Sequence, residues 1–289
     1  MRRSMCICLT AILLAMFCPA AQASEMTATD ALPNLRYLTP LENGYAGIGD
    51  GERLMLISYE GETVLSIPLD ALLGDDINGG LSACCGDGEG GLYAVFSRDE
   101  NTPDPLIHLF HFSNEGEILW SALFQQTTVW GWMHLSRDGL GGVILAHASW
   151  DNYKEIVIRR FSSDGEILWK KLLRAEGLIL KPYVLRPGEG GGCMLYGTAL
   201  SKSKGIYKAV ELCIGPEGDL IHAVARDYSF RPDYSAFLKW EPLSDEILFV
   251  SRENYLDTRG TERINVPLTE LEPCALPEII LSDAGLAVR

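Results

Sequence analysis

Phe112-Ser113-Asn114-Glu115-Gly116-Glu117-Ile118-Leu119-Trp120 and Phe161-Ser162-Ser163-Asp164-Gly165-Glu166-Ile167-Leu168-Trp169 are nearly the same segment, 49 residues apart. Weaker copies flank them, Tyr59-Glu60-Gly61-Glu62-Thr63-Val64-Leu65 and Gly215-Pro216-Glu217-Gly218-Asp219-Leu220-Ile221. The turn glycines Gly61, Gly116, Gly165 and Gly218 follow one another at spacings of 55, 49 and 53. A second motif is interleaved with the first. Gly86-Asp87-Gly88-Glu89-Gly90-Gly91 recurs as Arg137-Asp138-Gly139-Leu140-Gly141-Gly142 and as Arg186-Pro187-Gly188-Glu189-Gly190-Gly191. Two motifs in constant order with a shared period of about 50 mark a repeat architecture.

Asn-Glu-Gly and Ser-Asp-Gly between apolar runs are hairpin turns, because glycine reaches positive φ at little steric cost. The Gly-rich motif is a second turn feeding a short apolar strand. Leu92–Phe96, Val143–Ala146 and Cys193–Tyr196 follow it, and Leu106–Phe110, Ile156–Ile158 and Ala209–Leu212 come after a variable loop. These runs have strand length and are rich in β-branched and aromatic residues. Several are apolar at consecutive positions, so both faces are expected to be buried. Each unit reads strand a, Gly turn, strand b, loop, strand c, Gly turn, strand d. That predicts an all-β fold, a β-propeller of about five four-stranded antiparallel blades. The units span about 35–70, 81–124, 130–173, 181–226 and 236–282. Six blades, or an incompletely closed ring, is the alternative. The fifth unit's outer strand is expected at Glu278-Ile279-Ile280-Leu281, and Asp70-Ala71-Leu72-Leu73 reads as one helical turn.

The Glu-Gly-Glu-Ile-Leu-Trp hairpin resembles repeats of the quinoprotein-like (PQQ-type) β-propellers. In those, a tryptophan on the outer strand packs against the next blade. The matching positions are Trp120 and Trp169, with Leu65 and His222 in the first and fourth units. The resemblance implies the fold only, since no motif for the family's cofactor or metal residues is present.

Arg2 and Arg3, the apolar run Met5–Phe17, Pro19 and Ala21-Gln22-Ala23 read as a secretory signal over residues 1–23, followed by one repeat domain over 24–289. This predicts an exported protein, extracellular, periplasmic or at the cell surface, with no transmembrane segment after the signal. The formal charge of −15 becomes −17 once Arg2 and Arg3 are removed. Such a surface repels phosphate backbones and argues against nucleic acid as a partner. Five cysteines remain beyond the signal, an odd number, so at least one thiol has no intramolecular partner. A cross-strand hairpin centred near Ser203 would set Cys193 opposite Cys213. That leaves two readings: a disulfide contributing roughly 3 kcal/mol, or two free thiols packed as small apolar groups. Cys84 and Cys85 read as ordinary in–out alternation.

No histidine pair has metal-ligand spacing on one strand face. Gly86-Asp87-Gly88-Glu89-Gly90 resembles a calcium loop only superficially, lacking the alternating carboxylates and the closing glutamate. Turn chemistry accounts for it, so no cofactor is expected, with calcium as the alternative. Nucleophile-elbow and phosphate-loop motifs are absent. In a propeller, the b–c and d–a loops share one face. Trp130, Trp150, Tyr153, Tyr228, Arg231 and Tyr255 belong to it. Aromatic residues with arginine are the composition of binding surfaces. The expected function is noncatalytic binding of a protein, peptide or glycan. The alternative is a glycosidase-like enzyme, with carboxylates about 5–10 Å apart around a central channel.

Overall fold

The computed structural model describes residues 36–41, 44–49, 52–74, 79–98, 106–125, 131–149, 155–175, 177–201, 206–227, 237–243, 246–251, 263–267, 272–274 and 279–283. Four consecutive sheets follow one plan. The first is β1 (Arg36–Leu41), β2 (Gly44–Gly49), β3 (Arg53–Ser58) and β4 (Thr63–Pro68), followed by the short helix α1 (Leu69–Leu73) where one helical turn is expected. The second is β5 (Gly79–Gly86), β6 (Leu92–Arg98), β7 (Leu106–Phe112) and β8 (Ile118–Gln125). The third is β9 (Gly131–Arg137), β10 (Val143–Ser149), β11 (Ile156–Phe161) and β12 (Ile167–Ala175). The fourth is β13 (Ile179–Pro187), β14 (Cys193–Ser201), β15 (Ile206–Ile214) and β16 (Leu220–Asp227). These strands pair antiparallel in sequential order. A fifth sheet holds β17 (Phe237–Leu243), β18 (Glu246–Ser251) and β19 (Arg263–Pro267).

The fold is therefore all-β, made of successive antiparallel sheets, and propeller-like in its repeated unit. Consecutive apolar residues in strands b and c follow from packing on both faces. Ala94, Phe96, Phe110 and Phe112 of the second sheet pack with Ala46, Ile48, Leu54 and Leu56 of the first. Tyr93, Val95, Ile107 and Leu109 turn the other way, onto Met133, Leu135, Val143 and Leu145 of the third. Ile144, Ala146, Ile156 and Ile158 then meet Leu195, Val210, Leu212 and Ile214 of the fourth. Each core lies between neighbouring sheets, and the alternating pleat supplies residues to both.

The same irregularity recurs in all four sheets. Where strand c meets strand d, the register slips by one residue, between Leu56 and Ile57, His111 and Phe112, Arg160 and Phe161, and Cys213 and Ile214. The unpaired residues are Val64, Leu119, Leu168 and Ile221, all large, apolar and exposed. A bulge re-aims the residue beside it. Here it swings Leu65, Trp120 and Trp169 onto the following sheet. Trp120 Nε1 donates to Ser163 O at 2.7 Å, and Trp169 Nε1 donates to Pro216 O at 2.7 Å. The turn glycines receive these side chains. Gly165 has φ +84°, and a Cβ there would lie 2.7 Å from the Trp120 ring. Gly116 against Leu65 and Gly218 against Trp169 repeat the arrangement.

The end of the chain departs from expectation. The segment expected as the outer strand of the fifth sheet, Glu278–Leu281, contributes to β21 (Ile279–Asp283) instead, and a short strand, β20 (Glu272–Cys274), precedes it. β20 pairs with the edge of β16, and β21 pairs with the edge of β12. Ile279 and Leu281 pack onto the core that contains Leu173, and Lys171 Nζ meets Asp283 Oδ1 at 2.6 Å. The segment thus caps two open strand edges and buries its aliphatic residues. The fifth sheet has three strands among the described residues.

Candidate functional site

Antiparallel order puts the a–b and c–d connections at one end of each sheet and the b–c and d–a connections at the other. The first end is nearly invariant. In sheets two to four, residues 87–91, 138–142 and 188–192 join a to b, and residues 113–117, 162–166 and 215–219 join c to d, always five residues. The other end varies. The b–c connections 99–105, 150–155 and 202–205 have seven, six and four residues, and the d–a connections 126–130, 176–178 and 228–236 have five, three and nine.

The polar groups of the turn end are paired within the fold. Asp87 Oδ1 accepts the backbone N–H groups of Glu89 and Gly91, both at 2.8 Å. Asp138 Oδ1 does the same for Leu140 and Gly142, both at 2.8 Å. The second carboxylate oxygen reaches strand c. His111 Nε2 lies 3.1 Å from Asp87 Oδ2. Arg160 donates Nε and Nη2 to Asp138 Oδ2 at 2.9 and 2.8 Å. In the fourth sheet Gly188 holds the aspartate position, and Cys213 stands where the other two have His111 and Arg160. Gly142 and its equivalents press on a strand-c carbonyl; a Cβ on Gly142 would lie 2.2 Å from Phe161 O. In the c–d turns, Ser113 Oγ accepts Glu115 and Glu117 N–H groups, and Ser58 Oγ those of Glu60 and Glu62. These turns are structural fittings. Among the described residues, no group of three or more His, Cys, Asp or Glu is placed to hold a metal ion.

One described cluster combines a thiol, an imidazole and a carboxylate. His111 stacks on Tyr93 at 4.1 Å between ring centroids, beside the Asp87 carboxylate. Cys85 sits opposite Tyr93 on the neighbouring strand. Burial, then the neighbouring Cys84, push the Cys85 thiol far above its ordinary range, so it stays protonated and unreactive. Tyr93 is raised as well, chiefly by burial and then by Asp87, and its hydroxyl donates to Gly141 O at 2.7 Å.

The cysteine geometry differs from the sequence expectation. The β14–β15 register pairs Met194 with Cys213 and Cys193 with Ile214, one residue away from the expected opposition. Adjacent strand residues point to opposite faces, so Cys193 enters the core while Cys213 faces the other way. Both thiols are free. Burial pushes the Cys193 thiol up to about 12. Cys84 and Cys85 form no disulfide and point to opposite sides, as alternation predicts. Trp130, Trp150, Tyr153, Tyr228, Arg231 and Tyr255 lie outside the described residues, as does the secretory-signal segment. By chain position Trp130, Trp150, Tyr153, Tyr228 and Arg231 fall in b–c or d–a connections, and Tyr255 falls between β18 and β19. Sequence reasoning did not identify His147, Arg159, Lys170 and the Asp138–Arg160 pair as functional candidates. For His147, Arg159 and Lys170 the signal was available as basic residues at repeat positions that are apolar or small in the second and fourth units, and for Asp138 and Arg160 as the recurrence of an acidic residue and a basic or imidazole residue at the positions of Asp87 and His111. No helix among the described residues is long and apolar enough to cross a membrane.

No family model matches the chain, and no curated protein does. Among solved structures, a point-variant ACO/RPE65 chimera in a monoclinic crystal form aligns over 88% of this chain and 61% of its own, with 10% identity and a TM-score of 0.42. Another ACO/RPE65 chimera structure aligns over 85% and 58%, also with 10% identity and a TM-score of 0.42. This chain thus spans about three fifths of the length of those proteins. At that identity and score the likeness assigns neither a family nor an activity.

Proposed function

We propose that this protein is an exported, noncatalytic binding module. Its sheets close as a five-bladed propeller of the quinoprotein-like repeat type, and it engages a protein, peptide or glycan through the variable-loop end. The observation that carries the reading is the contrast between the two ends. In sheets two to four, one end keeps connections of five residues whose polar groups serve the fold; the other changes length and sequence from unit to unit. Loops on a rigid scaffold are where recognition residues collect, and the aromatic and arginine candidates belong to those loops. Burial raises the Cys85 and Cys193 thiols, and the Asp87 and Asp138 carboxylates serve turns and their strand-c partners His111 and Arg160. These groups are thereby committed to structure.

The test is a glycan array and an extracellular-protein panel probed with the secreted protein. Trp150→Ala and Tyr255→Ala are expected to weaken each hit by about tenfold or more. Leu140→Ser, at the turn end, is expected to leave binding unchanged. Undiminished binding by both loop variants, or loss with the Leu140 variant alone, would reject the reading. Hydrolysis of a bound glycan would favour the carbohydrate-active alternative.

A further inference from the structure

The outer strands of the first four sheets are not finished in the same way. β21 adds antiparallel to the outer edge of β12, and β20 does the same at β16. Among the described residues, β4 and β8 are the last strands of their sheets. An open edge offers a row of unpaired N–H and C=O groups, and folds blunt such edges with charges, prolines or a covering segment. β4 ends in Pro68, which has no N–H, and runs into α1. β8, by contrast, reads Ile118-Leu119-Trp120-Ser121-Ala122-Leu123-Phe124-Gln125, with neither a charge nor a proline.

The side chains along β8 point the same way. Leu119 is 55% exposed, Leu123 52% and Ile118 49%. The register makes Leu172 of β12 and Ala225 of β16 the equivalents of Leu123. Those two lie on covered strands and are half-buried and buried. On the other face of β8, Trp120, Ala122 and Phe124 pack partly into the core shared with the third sheet. The strand thus carries apolar groups on both faces beside an open edge. The covered edges show what such an edge accepts. β21 lays Ile279 and Leu281 into the core that holds Leu173, with Lys171 and Asp283 meeting at its end. The occupant there is an extended, antiparallel, aliphatic segment.

We propose that β8 pairs antiparallel with β8 of a second copy about a two-fold axis, joining two four-stranded sheets into one continuous sheet. β8 itself meets the specification that β21 illustrates, being extended and apolar on both faces. Charge selects the partner. The chain carries a formal −15, so two copies repel over most of their surfaces. An uncharged strand is where they meet without like charges opposed. A basic strand would find no carboxylate along β8, and an acidic one no cation. Pairing centred on Ala122 sets Leu123 against Ser121 and Phe124 against Trp120 of the other copy. Glu115 and Glu117 then fall past the end of the other copy's β8. The pairing is isologous and uses up both edges, so assembly stops at the dimer. The edge runs along the outer strand, and the inference stands independently of the function proposed above.

Sedimentation velocity of the purified protein from about 1 to about 200 µM is expected to show a monomer–dimer equilibrium with a Kd of about 10 to 100 µM, as befits a small strand-to-strand contact. In the same wild-type samples, amide hydrogen exchange along β8 should slow as protein concentration rises, while exchange along β4 stays constant. Leu123→Lys, at an exposed position, is expected to raise Kd at least about tenfold and to leave Tm within about 2 °C. A monomer across the whole range, a dimer that survives Leu123→Lys, or a dimer without slowed β8 exchange would each overturn the proposal. Protection of β8 only in a complex with a different polypeptide would give the edge to that partner and overturn it as well.

Discussion

Asp138→Ala removes one side chain and strands three groups. The Asp138 side chain is 1% exposed and that of Arg160 8%. Without the carboxylate, Arg160 loses both charge-assisted bonds and keeps only the Pro216 carbonyl at 2.9 Å. The Leu140 and Gly142 N–H groups lose their acceptor as well. Breaking a buried ion pair by deleting one partner costs about 3–5 kcal/mol, because the other charge stays behind. Each stranded backbone N–H adds about 1 kcal/mol where water cannot reach it, although these losses are not additive. We take about 4 kcal/mol for the whole, or about 10 °C in Tm for a domain of this size. Asp87→Ala is expected to cost about half as much, since its partner His111 can be neutral. The assay is urea unfolding followed by tryptophan fluorescence, with an Asp138→Ala, Arg160→Met double-mutant cycle. The double variant should recover about 2 kcal/mol relative to Asp138→Ala alone, because the orphaned cation is gone. A loss below about 1 kcal/mol for Asp138→Ala, or no recovery in the double variant, would refute the reasoning.

Trp120→Ala and Trp169→Ala should each destabilise by about 3 kcal/mol through lost packing and a lost indole hydrogen bond. The repeat-equivalent His222→Ala, at an exposed position, should stay within about 0.5 kcal/mol in the same unfolding assay. Stability should also decline with acid through His147, which burial and then Arg159 hold well below 6.5. The unfolded chain binds a proton there below pH 6.5 while the native chain does not. This group's contribution is therefore intact above pH 6.5 and falls by up to about 1.4 kcal/mol per pH unit below it; His147→Phe should flatten that part of the profile measured by urea titration. Cys193 should react with a thiol reagent only at the rate of unfolding, and reductant should leave Tm unchanged, since Cys193 and Cys213 are free.

The repeat, the strand character of each run, the hairpin turns and the both-face burial were legible in local sequence. Each depends on interactions within a few residues: glycine at positive φ in Gly116 and Gly165, or alternation in strands such as β6 and β10. The outward docking of Trp120 and Trp169 was legible through the resemblance, but its cause was not. Simple alternation puts Trp120 on the same face as Ile118, and only the bulge at Leu119 turns it to the next sheet. A one-residue slip is set by hydrogen bonds between strands, which no local pattern records. The expected opposition of Cys193 and Cys213 failed for a simpler reason: β14 and β15 pair in unbroken register one residue away from a hairpin centred on Ser203. The last strands were misassigned for a related reason. Ile279–Asp283 is a good strand wherever an open edge exists, and the choice of β12 over the fifth sheet depends on Leu173 and Lys171, more than a hundred residues away.

The sequence alone determined an all-β repeat with two kinds of Gly turn and cores fed from both faces, because those features follow from backbone sterics and apolar periodicity. Only the tertiary structure decided which charges compensate one another. Asp138 with Arg160, and Arg159 with His147 under Phe124, are neighbours through sheet register and sheet-on-sheet packing. The energy of a buried charge depends on what surrounds it in three dimensions, not on what precedes it in the chain.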